Sequence, residues 1–172
     1  MIMITPPGEA LNVDLSDFDT QLYALVQSLS LAPHLDTADT GNNATMAATT
    51  TTTSDLLFRA LNLAFAPRDA VPPWRTAAFA KRLLTAALHW PGAVALRTLE
   101  FVASLMAREP RLEALLSTEE RTVDGVYRPD VEDPQLSNPF TTSAYELHLL
   151  RTSHVDAQVR EAAMNLVNYV RT

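Results

Sequence analysis

The chain contains no cysteine and few glycines, and Lys81 is its only lysine. It has 172 residues, of which four are glycine. Without cysteine there can be no disulfide framework, thiolate zinc site or cysteine nucleophile. Four glycines leave no dinucleotide-binding fingerprint and no Walker-type phosphate loop. No apolar run approaches a membrane span, and the first residues lack the pattern of a signal peptide, so we predict a non-secreted protein without membrane contact.

The charge balance is acidic, with a formal net charge of -7. A chain of this charge is repelled by nucleic-acid phosphates, so any RNA or DNA contact would have to be local. Arg75, Arg82 and His89 recur every seven residues beside Lys81, along one edge of the third predicted helix. We interpret this basic stripe as a solvated face, and keep direct contact with a nucleic acid as the alternative.

Helical periodicity dominates the sequence and alternating β patterns are nearly absent, which predicts an all-α fold. The central helices are apolar over half their circumference or more, and Pro-rich breaks separate most helices. This pattern predicts stacked antiparallel helix pairs, as in a HEAT-like or armadillo-like α-solenoid fragment. The predicted helices cover residues 14–29, 55–66, 74–89 and 93–108, followed by a short turn at 112–116 and two last helices. Asp14 and Ser54 are the predicted caps of the first two helices. The first helix is expected to bury Leu15, Phe18, Leu22, Leu25, Val26 and Leu29, and the last helix carries an apolar stripe of Val155, Val159, Ala162, Ala163, Leu166 and Val170.

The fourth predicted helix is apolar nearly all round, which is typical of a buried helix. Its polar residues form one narrow wedge, in which Glu100 is spaced to pair with Arg97 and Arg108. Pairs of this kind contribute too little to drive folding.

The apolar fraction of 47% suits an ordinary globular domain, and we predict one helical domain over residues 1–172. Residues 32–53 are poor in large apolar side chains and end in five threonines. This composition predicts a flexible Thr-rich loop within the domain. The alternative, an interdomain linker, is less favoured because the first helix alone could not form a domain.

Residues 125–154 combine three prolines with several carboxylates and a helix start. Asp130, Glu132 and Asp133 could serve Ca²⁺ or Mg²⁺, but the glycine of a tight calcium loop is missing. We therefore interpret these residues as a solvated acidic loop without a metal. The prolines stiffen the segment, which lowers the entropy lost when it docks to a partner.

The same stretch carries no recognisable catalytic pattern. Ser143 and Glu146 have the spacing of a capping box, which predicts a structural role at the start of a helix. His148 and His154 lack the spacing of a two-histidine metal face. A hydrolase using Asp130 and Glu146 would lack a paired nucleophile and base, so we predict no enzymatic activity and no cofactor.

Three stretches carry a family resemblance: "LNVDLSDFDTQLY", "AAFAKRLLTAALH", and "GVYRPDVEDPQLSNPF" followed by "YELHLLRTSH". Together they resemble the C-terminal domain of the CCAAT-binding-factor/Mak21-type family over most of the chain. The family generally has Trp-Glu-Leu where this chain has Tyr145-Glu146-Leu147, and a proline where it has Val155. The specific part is the later motif, with Tyr127, Pro129, Asp133, Pro134, Asn138, Glu146, Leu147, Leu150 and His154.

The resemblance implies a nuclear, mainly nucleolar, helical scaffold without catalytic groups, cofactors or a small-molecule substrate. It implies pairing with nucleolar complex protein 2, among pre-60S assembly factors, during assembly and export of the large ribosomal subunit. A role in licensing replication origins, or direct contact with pre-rRNA, is the alternative. We predict partner contacts at exposed polar and aromatic positions of the later stretch: Tyr127, Asp130, Glu132, Asp133, Asn138, Tyr145, His148 and His154.

Overall fold

The computed structural model describes residues 16–32, 34–36, 51–66, 71–117 and 124–169. These residues contain six α-helices, three short 3₁₀ helices and no β-strand, which confirms the predicted all-α class. The 3₁₀ helices are Pro110–Leu115, Pro134–Ser137 and Pro139–Thr141. The α-helices are α1 Ser16–Leu29, α2 Thr53–Ala64, α3 Pro73–Ala87, α4 Gly92–Arg108, α5 Tyr145–Ser153 and α6 Ala157–Asn168.

Prolines set the starts of the two central helices. Pro72 precedes α3 and Pro91 precedes α4, with ψ angles of 137° and 149°, so neither proline is itself helical. Because proline fixes φ and has no N–H to satisfy, it suits the first turn of a helix and breaks a helix interior. Both helices therefore begin within one residue of the predicted positions. Asp14, which could cap the first helix, lies outside the described residues.

Helix α2 begins two residues earlier than predicted. Its cap is Thr52, whose Oγ1 accepts the Asp55 N–H at 3.1 Å while the Asp55 carboxylate accepts the Thr52 N–H at 3.1 Å. This reciprocal capping box satisfies two of the N–H groups that a helix start leaves without partners. Ser54, the predicted cap, is instead buried inside the first turn of the helix.

Both ends of the predicted Thr-rich loop are anchored. Leu35 is fully buried in the core, and its carbonyl accepts the Ser54 N–H at 3.1 Å. The last threonines of the run belong to the start of α2. The flexible loop of residues 32–53 stays a prediction: its last residue, Thr53, begins α2, and residues 33 and 37–50 lie outside the described part of the chain.

Helix α3 lies at the centre, in contact with α1, α4 and α5, while α4 and α5 both contact α6 and α1 contacts α2. Buried apolar residues of all six helices form one cluster. Phe79 on α3 makes edge-to-face contacts with Tyr23 and Phe65, at centroid distances of 5.1 and 5.0 Å. The solenoid arrangement and the single domain over residues 1–172 stay predictions.

Two predicted apolar faces differ from the structure. Phe18 and Leu25, expected in the core, are 41% and 45% exposed, because α1 turns Tyr23 inward beside Leu22 and Val26. Val155 was expected on the apolar stripe of the last helix, but it is 94% exposed. It lies in the turn before α6 begins, where helical periodicity does not apply.

The predicted ion pairs within α4 are also wrong. Arg97 donates to Oδ1 of Asp55 on α2 at 2.7 Å, and Arg108 donates to the carbonyl of Phe65 at 2.6 Å. Both arginines therefore bind groups at the two ends of α2. Glu100 is exposed and forms no ion pair among the residues that the structure describes.

Candidate partner-binding site

The segment of residues 124–144, which we call the proline segment, folds into two 3₁₀ turns against α3. Asp133 caps the first turn by accepting the Gln135 N–H at 2.8 Å, and proline occupies the first position of both turns. Asn138 links the turns in a left-handed conformation, with φ of 49°. Asparagine tolerates this region better than most residues, because its short polar side chain can hydrogen-bond locally.

Arg82 of α3 fastens the proline segment to the helices. Its guanidinium donates to the carbonyls of Pro129 and Val131, at 2.8 and 2.6 Å, and to the carbonyl of Tyr23 in α1 at 3.1 Å. The group also lies 3.5 Å from the centre of the Tyr23 ring. Burial lowers the pKa of Arg82, but a guanidinium stays charged at physiological pH. One buried cation thus holds three chain segments together.

Lys81 makes a second link, from α3 to the start of α5. Its Nζ donates to both carboxylate oxygens of Glu146, at 2.7 and 2.6 Å, and to the carbonyl of Ser143 at 2.6 Å. The Lys81 and Glu146 side chains are both fully buried. A hydroxyl donation from Thr85 at 3.0 Å further satisfies the carboxylate. A buried ion pair is tolerated when such additional hydrogen bonds replace water.

This geometry corrects the predicted capping box. The position before α5 is Ala144, which makes no side-chain capping bond, and Glu146 points to Lys81 instead of reaching back to Ser143. The two residues of the predicted box still meet at one point, because Lys81 binds the carboxylate of one and the carbonyl of the other.

Two tyrosines flank the ammonium group of Lys81. The ring centres of Tyr145 and Tyr127 lie 4.3 and 5.2 Å from Nζ, within the range of cation–π attraction. Burial raises the pKa of both phenols above the ordinary value, so both remain neutral at physiological pH. Tyr127 comes from the proline segment and Tyr145 from α5, so the lysine joins both elements to α3.

The predicted basic stripe is not a continuous exposed surface. Lys81 is fully buried and Arg82 is 4% exposed, so the prediction that these two face solvent or RNA is wrong. The proline segment and α5 cover them, through the contacts described above. Arg75 pairs with Asp19 of α1 at 2.6 Å, and His89 is exposed. RNA contact at these last two residues stays a prediction.

The predicted partner-binding residues fall into separate groups. Tyr127 and Tyr145 are brought together at Lys81, and Tyr145 is 49% exposed. Asp130 and Glu132 are exposed on the proline segment, where Asp130 lies 3.7 Å from Arg128. The aromatic positions therefore lie at Lys81, whereas the two acidic positions are exposed elsewhere on the proline segment.

The remaining predicted residues have structural contacts. Asp133 and Asn138 shape the proline segment, as its cap and its left-handed link. His148 is exposed on α5, with Nδ1 3.1 Å from the Arg151 guanidinium. His154 lies in the α5–α6 turn, where its Nδ1 accepts the Asp156 N–H at 3.1 Å. Partner binding at all eight positions stays a prediction.

A small groove separates α1, α3 and the proline segment. Its volume is about 170 Å³, below the range of typical ligand pockets, and its lining includes Gln27, Arg82, His89 and Tyr127. Among the described residues, no three histidine, aspartate or glutamate side chains are grouped as metal ligands. In the same ranges, each helix is too short or too polar to cross a bilayer.

Sequence reasoning missed the two buried cations as the residues that organise this site. A signal for them exists, since Lys81 and Arg82 stand within a helix whose neighbouring positions are mostly alanine and leucine. Charged residues on such an apolar helix are rarely buried unless they are paired. The pattern thus predicts buried partners, although it does not name them.

Comparison with known proteins finds a matching family model and several relatives of this chain. The model of the CBF/Mak21 family matches residues 3–163. The chain is 30% identical to nucleolar complex-associated protein 3 of Schizosaccharomyces pombe over 165 residues, 91% of this chain and 22% of that protein.

Two further relatives carry similar names. The protein of the same name in Saccharomyces cerevisiae is 31% identical over 148 residues, which cover 81% of this chain and 22% of the relative. The human nucleolar complex protein 3 homolog is 28% identical over 166 residues, which cover 96% of this chain and 18% of the relative. The chain thus spans about a fifth of the length of these relatives.

Proposed function

Because the chain belongs to the CBF/Mak21 family, we propose that it is a non-enzymatic helical scaffold of ribosome biogenesis in the nucleolus. More specifically, it acts in assembly and nuclear transport of the large (60S) ribosomal subunit, in a complex with nucleolar complex protein 2. The names of the relatives support the nucleolar complex. The partner and the subunit follow from the resemblance of the later motif.

The observation that carries the scaffold proposal is that Lys81 and Arg82 are buried inside the protein. Both cations bind groups of the chain itself, and in doing so they hold the proline segment in one conformation. A segment that is already ordered loses less entropy on docking, so a protein partner can bind it at lower cost. We propose that this surface, with Asp130, Glu132 and Tyr145 exposed, contacts the partner.

Direct contact with pre-rRNA, or a role at replication origins, is the second candidate. The formal net charge of -7 opposes it, and the burial of Lys81 and Arg82 removes half of the basic stripe. Arg75 is already paired with Asp19, which leaves little exposed positive charge in that part of α3. Any RNA contact would therefore involve few phosphates, so it would be weak and depend only slightly on salt.

Affinity purification of the tagged chain from nuclear extract, with and without RNase, tests the proposal. We expect nucleolar complex protein 2 and large-subunit assembly factors to be recovered equally in both preparations. The variant Asp130→Lys/Glu132→Lys should reduce this recovery, whereas Glu113→Lys, an exposed charge reversal outside the proline segment, should leave it unchanged. Recovery that disappears with RNase would contradict the scaffold and favour RNA tethering.

A further inference from the structure

A second surface lies between α4 and α6, apart from the proline segment. The two helices pack against each other but leave a groove of about 300 Å³. Its floor is Leu99 and Leu166, which are 2% and 5% exposed and belong to the core. Ala103 of α4 and Ala162 of α6 also line it, and these side chains are too small to fill the space between the helices.

The groove carries one negative charge. Glu100 of α4 lines it, is exposed, and forms no ion pair among the described residues. Arg97, the nearest arginine in sequence, is bound to Asp55 of α2 instead. The other polar groups of the lining are neutral: the amide of Asn165 on α6 and the hydroxyl of Tyr169, which follows α6. An incoming cation beside an apolar group would therefore match the groove.

The size and lining of the groove favour a helix over a small molecule. A volume of about 300 Å³ is at the lower limit of ligand pockets, and the mostly apolar lining offers few polar groups to orient a small ligand. A groove between two helices is the surface on which an amphipathic helix places apolar side chains one turn apart. The pairing of a basic residue of this helix with Glu100 would then set the orientation of the helix.

We propose that the α4–α6 groove binds an amphipathic helix of a partner protein, with apolar residues in the groove and an arginine or lysine paired with Glu100. This inference rests on the proposed scaffold function and adds a second contact surface to it. The apolar residues of the partner helix pack on Ala103 and Ala162, and its basic residue neutralises the exposed carboxylate of Glu100.

A model peptide tests this chemistry without knowledge of the partner. The peptide is a helix of about 20 residues, with leucines one turn apart and arginines beside them, and its counterpart has glutamates in place of the arginines. Binding of each to the full chain is measured by fluorescence anisotropy. We expect the arginine peptide to bind more tightly, and Glu100→Lys to weaken it roughly fivefold.

Two further variants separate the groove from general surface charge. Ala103→Trp fills the groove and should weaken the arginine peptide roughly tenfold. Glu113→Lys and Ala114→Trp, at exposed positions of the 3₁₀ helix Pro110–Leu115, are the matched controls and should leave binding unchanged. Equal binding of both peptides, or an unchanged affinity of Glu100→Lys, would overturn the proposal. The proposal would also be overturned if the chain formed a dimer that Ala103→Trp dissociates, because the groove would then bind a second copy of the chain.

The nuclear purification distinguishes this inference from the scaffold function. In one outcome, the unaltered chain and Ala103→Trp recover nucleolar complex protein 2 equally. That partner then does not bind the groove, so the groove is overturned as a scaffold contact while the scaffold function stands. If the unaltered chain recovers no nucleolar factor but the peptide binds with the expected charge dependence, the scaffold function fails and the groove chemistry is supported.

Discussion

Two ion pairs join distant parts of this chain, and they differ most in their access to water. Lys81 and Glu146 link α3 to α5, and neither side chain is exposed. Arg97 and Asp55 link α4 to α2, and their side chains are 41% and 40% exposed. The N–O distances are nearly equal, at 2.6 and 2.7 Å, so geometry alone does not separate the two pairs.

The environment decides what each pair contributes. Water and salt screen the exposed pair, which also loses side-chain entropy, so its net contribution is small. The buried pair is little screened, but removal of either partner leaves an uncompensated charge away from water. The buried pair therefore fixes how α5 and the proline segment sit on α3, whereas the exposed pair adds little to a contact that apolar packing already makes.

The largest expected effect is that of breaking the buried pair. Lys81→Met should lower the free energy of unfolding by about 3 to 5 kcal/mol, because Glu146 stays buried without its cation. The double variant Lys81→Met/Glu146→Leu should recover much of this loss, since no unpaired charge remains. Urea unfolding of the two single variants and the double variant measures the coupling. Additive losses would mean that the two side chains do not act as a pair.

Removal of the Arg82 guanidinium should have the next largest effect. Arg82→Ala deletes hydrogen bonds to three carbonyls, in α1 and the proline segment, and should cost about 1.5 to 3 kcal/mol. Arg82→Lys should restore only part of this stability, because an ammonium cannot reproduce the planar fork. Arg111→Ala, at an exposed position, serves as the control in the same urea titrations. If Arg82→Lys were as stable as the unaltered chain, the three hydrogen bonds of the Arg82 guanidinium would not be what stabilises the fold.

Breaking the exposed pair should cost least. Arg97→Ala removes the bond to Asp55 and a contact 4.5 Å from the Phe58 ring centre, yet its cost should not exceed about 1 kcal/mol. Thermal unfolding in low and high salt measures this cost, which should shrink as salt rises. A loss as large as that of Lys81→Met would remove the distinction between the two pairs.

The pH dependence of the exposed pair sharpens the comparison further. Hydrogen bonds from Arg97 and Thr52 lower the pKa of Asp55 from 3.8 to about 2. A carboxyl with a lowered folded-state pKa stabilises the fold above its unfolded pKa, and this contribution is lost as pH falls from about 4 to about 2. Asp55→Asn keeps a capping oxygen but should lack this part of the acid-induced loss. Urea midpoints between pH 5 and pH 2 measure the difference, and identical profiles would refute the assignment.

The sequence predicts the helices better than their contacts. The starts of α3 and α4 follow from local proline chemistry, which acts over one or two residues. The burial of Lys81 depends on Glu146, 65 residues later, and local periodicity cannot reveal such a partner. The predicted capping box of Ser143 and Glu146 is wrong for the same reason. The spacing of the two residues suits a capping box, but the distant Lys81 binds the Glu146 carboxylate.

Lys81 and Arg82 bind groups of the proline segment and the start of α5, and we propose that they hold the segment in the conformation that a partner recognises. Hydrogen exchange of residues 124–144 in the full chain tests it most directly. We expect the amide hydrogens of this segment to exchange faster in Lys81→Met and Arg82→Ala, and at an unchanged rate in Arg97→Ala. Unchanged protection of the segment in both α3 variants would contradict the account.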